Sequence, residues 1–251
     1  MDKQTVTAYP IVQDVPALLS FLARVYAATE SERVVGSAGG YHAEVQIGDT
    51  QLMIGGGGPD VNWKGEVRPM AFHIYVPDVD ATYKLAISSG GKSLQGPIDQ
   101  EWGERTAHVV DPAGNLWYIA TFKRANYFSD GAPTVQPFLQ PLHSEPIIDF
   151  LACAFGAVEE GRAATDDGVI LHSTLKLGSS ALEFGDAHDE YVPMPGMFYV
   201  AVEDADAAYA RAIKCGGESH SPAVDQSYGA RTASVKDVAG NVWYVAGPLA
   251  R

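Results

Sequence analysis

The chain has 251 residues, 46% of them hydrophobic, and its 31 acidic residues outnumber 17 basic ones for a formal net charge of −14. An acidic surplus with no basic run excludes a phosphate backbone or an anionic membrane surface as the main partner, since both require clustered Lys and Arg. The length and apolar content suit a globular chain of about two domains with a sizeable core.

In chain order, residues 7–13 read as a strand. Asp14 is placed to cap a helix with Pro16 in its first turn, and Leu18, Leu19, Leu22, Val25 and Tyr26 form the helix's apolar stripe. Short strands follow at 33–37, 41–47 and 51–54, separated by Gly turns. The Gly run at 55–58 lacks the Lys-Ser/Thr of a phosphate loop and reads as an ordinary connection. An apolar strand at 70–76 leads to Asp78, which caps a helix over 79–89 that stops at Gly90-Gly91. Strands near 92–94, 105–110 and 116–122 complete the series, the last two joined by a turn at Asp111-Pro112-Ala113-Gly114-Asn115.

The second half repeats this order, with helices near 145–155 and 205–215. Residues 100–120 and 226–246 are identical at 13 of 21 positions, at a constant offset of 126. A repeat of half the chain length is an internal duplication. It gives domains at 1–125 and 132–251, with a polar, turn-rich linker over 129–133. Residues kept in both copies are expected to serve the scaffold, and those that differ mark chemical divergence. Cys153 and Cys215 do not correspond across the repeat. With no apolar export signal and no membrane-length stretch, both read as reduced thiols in a cytoplasmic protein, Cys153 as a buried small residue in its apolar run.

Strand–helix–three strands, repeated, resembles the vicinal oxygen chelate superfamily of glyoxalase I, bleomycin-resistance proteins and extradiol dioxygenases. The resemblance rests on Val76-Pro77-Asp78-Val79-Asp80 together with the Asp111–Asn115 turn, and residues 99–121 are most similar to its PhnB-like branch. It implies an α+β fold of four βαβββ modules forming two open barrels in one chain. A single chain would then act as a pseudo-dimer, or pair further as a homodimer. By periodicity alone the chain is α+β with mixed short strands and helices.

Metal-using members of the group keep ligands at positions that align here with Thr7, Ala71 and Tyr118, and with Thr134, Met197 and Tyr244. None of these six suits a divalent ion, which prefers imidazole, carboxylate or thiolate. The expectation is therefore no metal and no cofactor. His42, Glu44 and His73 share an inward parity, but read as lining residues rather than as a ligand set.

Parity also turns Tyr75, Met197 and Tyr199 inward, with Tyr118 and Tyr244 where relatives hold a carboxylate. These tyrosines either orient a polar ligand group or fill a smaller cavity. Trp102 with Arg105, and Tyr228 with Arg231, stand at the expected rim. Each pair either clamps a planar or anionic ligand, or its Arg bridges loop carboxylates such as Asp99 and Asp225. His73 and Tyr118, and His172 with Glu183, are the candidates for acid–base catalysis. The first reading is metal-independent capture of a small apolar or aromatic molecule, of use in sequestration or resistance. The alternatives are a lyase, isomerase or cyclase using these His, Tyr and Glu groups, or a metal enzyme of the same family with unusual ligands. Whether the protein is an enzyme stays open at this level. The partner is a small molecule, with neither nucleic acid nor membrane.

Overall fold

The computed structural model describes residues 4–36, 38–122 and 133–249. Residues 129–132 of the expected linker, the domain limits at 125 and 132, and Ser37 at the end of the expected strand 33–37 lie outside the described residues. The elements order as four βαβββ modules. The first is β1 (Val6–Ala8) and β2 (Ile11–Val12), α1 (Val15–Tyr26), β3 (Thr29–Val35), β4 (Tyr41–Ile47) and β5 (Thr50–Gly56). The second is β6 (Ala71–Tyr75), α2 (Val79–Ser88), β7 (Lys92–Asp99), β8 (Glu104–Val110) and β9 (Leu116–Phe122). The third is β10 (Val135–Leu139), α3 (Glu145–Phe155), β11 (Val158–Ala164), β12 (Ile170–Leu177) and β13 (Ser180–Phe184). The fourth is β14 (Met197–Ala201), α4 (Ala205–Lys214), β15 (Glu218–Asp225), β16 (Ala230–Lys236) and β17 (Val242–Pro248).

The chain forms two compact units, Pro10–Phe138 and Met1–Tyr9 with Leu139–Arg251. In the first unit one sheet runs β2-β5-β4-β3 and another β10-β6-β9-β8-β7. In the second unit β1-β14-β17-β16-β15 form one sheet, and β12 lies between β11 and β13. The first strand of each half thus pairs antiparallel with the opening strand of another module, β1 with β14 and β10 with β6. The sheets stay open, with strands β7, β3 and β15 at their edges.

Local chemistry sets most element limits. Asp14, Asp78 and Asp204 each accept a bond from the backbone N–H three residues on, at 3.0, 3.0 and 2.9 Å, satisfying a donor the helix leaves free. The first strand is not continuous over 7–13 but breaks between β1 and β2, at Pro10, which has no N–H to give to a ladder. Strand β7 runs on to Asp99 through Gly96-Pro97, with register shifts on both sides of Gln95; an edge strand tolerates the proline there.

The repeated turn motif is a clasp. The Asp111 carboxylate accepts from Ala113 N (2.8 Å), Asn115 N (3.0 Å), Asn115 Nδ2 (2.9 Å) and Trp117 Nε1 (2.9 Å). Asp237 takes the same four bonds from Ala239, Asn241 and Trp243. Burial pushes both carboxyls up, and the Trp N–H leads the donors that pull them back. Each Trp stacks on the helix-facing side of its sheet, Trp117 on Phe72 at 4.7 Å and Trp243 on Phe198 at 4.4 Å. Residues kept in both copies therefore hold the scaffold together.

The cysteine reading needs correction. Cys153 and Cys215 are joined in a disulfide that ties α3 to the end of α4. Cys153 is exposed rather than buried, because the helix buries Ile147, Ile148, Phe150, Leu151 and Ala154 and turns position 153 outward. Among the described residues no helix is long and apolar enough to cross a membrane.

Candidate functional site

In the unit Pro10–Phe138, strand register lines up four polar side chains across one sheet face. Gln136 on β10 lies opposite His73 on β6, His73 beside Tyr118 on β9, and Tyr118 opposite His108 on β8. Rings fill the spaces: Tyr75 is 4.5 Å from His73, Phe138 4.6 Å and His108 4.7 Å from Tyr118, between ring centres. Gln136 is only 2% exposed, and its Nε2 has no hydrogen-bond partner. The sequence reading put Thr7, Ala71 and Tyr118 at the aligned positions of the first half, and Thr134, Met197 and Tyr244 at those of the second. The register brings Gln136, His73 and Tyr118 together instead, because the β10–β6 pairing is non-local and no offset along the chain encodes it. Thr134 faces the β4–β5 turn, where its N–H donates to Asp49 at 2.7 Å.

Burial, with repulsion from His73 second, pushes the His108 imidazole down to about 4. An unfolded histidine takes up its proton near pH 6.5. The folded state therefore binds fewer protons between these values, and stability is intact above about pH 6.5 and falls as the pH drops toward 4. The expected loss is about 2–3 kcal/mol between pH 7.5 and pH 4, and His108→Gln removes it. Urea titrations of both proteins over that range check this; parallel curves would refute it.

On the same sheet, four residues before His108 at the start of β8, stands a buried carboxylate that sequence reasoning missed. Glu104, 6% exposed, accepts from Tyr75 Oη at 3.0 Å and from Trp102 Nε1 at 2.8 Å. Trp102 is 63% exposed, tied only at its N–H end. Arg105 forks onto Asp80 (2.6 and 2.9 Å) and Asp99 (2.8 Å), and Arg231 repeats this with Asp206 and Asp225. Both guanidiniums thus bridge carboxylates, one in the first turn of a helix and one at the end of a strand, which is the bridging alternative. The bonds hold Asp80 and Asp206 below the usual carboxylate range.

In the other unit the matching row is Thr7, Tyr199, Tyr244 and Ser234, with no histidine. Met197 opens β14, two residues before Tyr199, and Tyr228 is 68% exposed on its loop. On β12 and β13 of that unit, His172 Nε2 lies 3.5 Å from Glu183 Oε2, and Glu183 is 2% exposed. Glu183 lies opposite Thr174, on the face away from Leu175 and Leu182. A water between the two groups would complete the contact that proton transfer needs, since 3.5 Å is just beyond direct hydrogen-bond reach.

The metal of the wider fold family does not fit the first row. Tyr118 stands where metal-using relatives keep a carboxylate, and a phenol is a poor ligand at neutral pH, which leaves the row an amide and two imidazoles spread over three strands. His42 and Glu44 lie 3.9 Å apart on β4, and Glu44 accepts from Gln51 at 2.8 Å, while His73 belongs to the other sheet of the unit. No group of three or more His, Cys, Asp or Glu among the described residues is arranged to hold an ion.

The modules, the open sheets and the polar row on one face define a glyoxalase-like α+β protein. Residues 9–119 match the family model described as the Glyoxalase/Bleomycin resistance protein/Dioxygenase superfamily, which places that stretch of the chain in the superfamily. An uncharacterized protein of Mycobacterium tuberculosis is 29% identical over 117 residues, 43% of this chain and 69% of that one. CFP32 of Mycobacterium bovis, provisionally named a glyoxylase, is 28% identical over 193 residues, 70% of this chain and 68% of its own. Glyoxalase I of Zea mays shares the fold with a TM-score of 0.75 at 16% identity, over 97% of this chain and 92% of that one.

Proposed function

We propose that the protein binds a small, mostly apolar or aromatic molecule without a metal, on the ring-lined face of the β10-β6-β9-β8-β7 sheet. The observation that carries this reading is the row Gln136, His73, Tyr118 and His108, set among aromatic rings with no carboxylate in it. Sites for small organic ligands combine apolar walls with a few convergent polar groups. His108 is held neutral by burial and adds a neutral hydrogen-bonding group to the row. Sequestration is one use for such a site.

A second reading, an enzyme of lyase, isomerase or cyclase type, is favoured by the His172–Glu183 pair and by His73 beside Tyr118. The name of CFP32, a relative over 70% of this chain, points the same way. Native mass spectrometry with elemental analysis of protein purified from cells separates them. Capture predicts a retained organic molecule and substoichiometric metal. One zinc, iron, nickel or manganese per chain surviving dialysis would overturn the metal-free reading.

A further inference from the structure

The Glu104 site differs from everything around it in one respect: the duplicated copy does without it. Positions 75, 102, 104 and 122 correspond at the offset of 126 to Ala201, Tyr228, Ala230 and Pro248. The loop itself is built alike in both copies. Gln100 N donates to Glu104 O and Gln226 N to Ala230 O, each at 2.7 Å. The Gln100 amide reaches Thr106 at 2.7 Å, and the Gln226 amide reaches Thr232 at 2.8 Å. The scaffold therefore closes this loop without the Glu104 carboxylate, the Tyr75 phenol or an indole, Tyr228 standing in the place of Trp102. The first copy has placed all three there in addition.

The carboxylate is buried, and both of its partners, Tyr75 and Trp102, are neutral donors. No Lys, Arg or His among the described residues pairs with it; Arg105, next in sequence, is held by Asp80 and Asp99. A buried carboxylate without a counter-cation is unfavourable, and its two oxygens have room for more than two donors. Aromatic rings frame it. Phe122 lies directly opposite Glu104 in the β8–β9 ladder, 6.0 Å from the Tyr75 ring, and the Trp102 indole remains open to solvent while its N–H is pinned. The carboxylate meets the polar edges of Tyr75 and Trp102 and supplies the charge an organic cation needs, while the solvent-exposed Trp102 face is free to add cation–π attraction. The acidic chain as a whole favours the approach of such a ligand.

We propose that Glu104, Tyr75, Trp102 and Phe122 form a binding site for an organic ammonium group carried on a flat apolar body. This rests on the reading of the neighbouring face as an aromatic-ligand site and names the class of ligand it takes. Glu104 supplies the charge, and it also positions the two rings that donate to it. The second copy, with Ala230 in place of Glu104, lacks the site.

Benzylammonium and benzyl alcohol, nearly equal in shape and different in charge, are the probes. Calorimetric titration of the whole protein should show benzylammonium binding about tenfold more tightly than benzyl alcohol. In Glu104→Gln, which keeps the size and one acceptor oxygen, that preference should fall to about one while benzyl alcohol binds as before. Near-UV circular dichroism confirms that the variant is folded, and Ala230→Gly serves as a control in which the preference is unchanged. Equal affinities in the wild type, or a preference that survives Glu104→Gln, would overturn the ammonium site and leave the aromatic-ligand reading standing. No binding of either probe to folded protein would overturn both.

Discussion

Reducing the Cys153–Cys215 bond is expected to remove about 4 kcal/mol of stability, or roughly 8–15 °C of melting temperature for a chain of this size. The bond closes a sequence separation of 62 residues, and the entropy of an open loop of that length gives the figure. It also ties α3 to α4, so the unfolded chain gains freedom that the folded one never uses. Cys153 is exposed, and a thiol reductant therefore has access without prior unfolding. Thermal scans with and without dithiothreitol test the claim, with Cys153→Ser/Cys215→Ser as the variant that should melt at the lower temperature and ignore the reductant. If the wild type melts alike under both conditions, the bond is not a structural brace. The other copy offers an internal comparison: Ser89 stands where Cys215 does, and α2 ends there with no covalent tie. Such bonds persist in oxidising compartments, whereas a cytoplasmic location would favour the two thiols. The redox state of the protein isolated from its source thus bears directly on where it works.

What the sequence disclosed and what it withheld divide along the range of the interactions involved. Helices capped by Asp14 and Asp78, and the Asp111 turn, depend on neighbours within a few residues, so residue type and spacing were enough, and the structure repeats them at Asp204 and Asp237. Gln136 escaped because its place beside His73 follows from the β10–β6 register, a pairing across more than sixty positions of chain. Glu104 escaped because a lone acid in a loop looks solvated. The signal that would have found it is a correlated difference between copies: Tyr75, Trp102 and Glu104 become Ala201, Tyr228 and Ala230. Cys153 was misplaced although the helical period of its own neighbours already turned it outward, since the run was read for its apolar content and not for its phase.

The second large effect is expected at the clasp. Asp111→Ala should cost about 3–5 kcal/mol, because it strands two backbone N–H groups, an Asn amide and the indole N–H of a fully buried Trp117 at once. Water entering at the turn, where Pro112 is exposed, would satisfy part of this set and keep the loss below the sum of four separate bonds. Asp237→Ala should cost a similar amount, since its four bonds have the same donors in the same order. The consequence reaches the ligand face, because Trp117 and Tyr118 are adjacent on β9 and point to opposite sides of one sheet. When the turn loosens, the β8–β9 ladder that holds Tyr118 opposite His108 loosens with it, so Asp111→Ala should weaken binding on that face, whereas Asp237→Ala acts on the Tyr244 strand. Urea denaturation measures the first effect, and a shift in Trp emission reports the lost indole bond. A drop below 1 kcal/mol in both variants would mean that the motif is retained for something other than holding the turn.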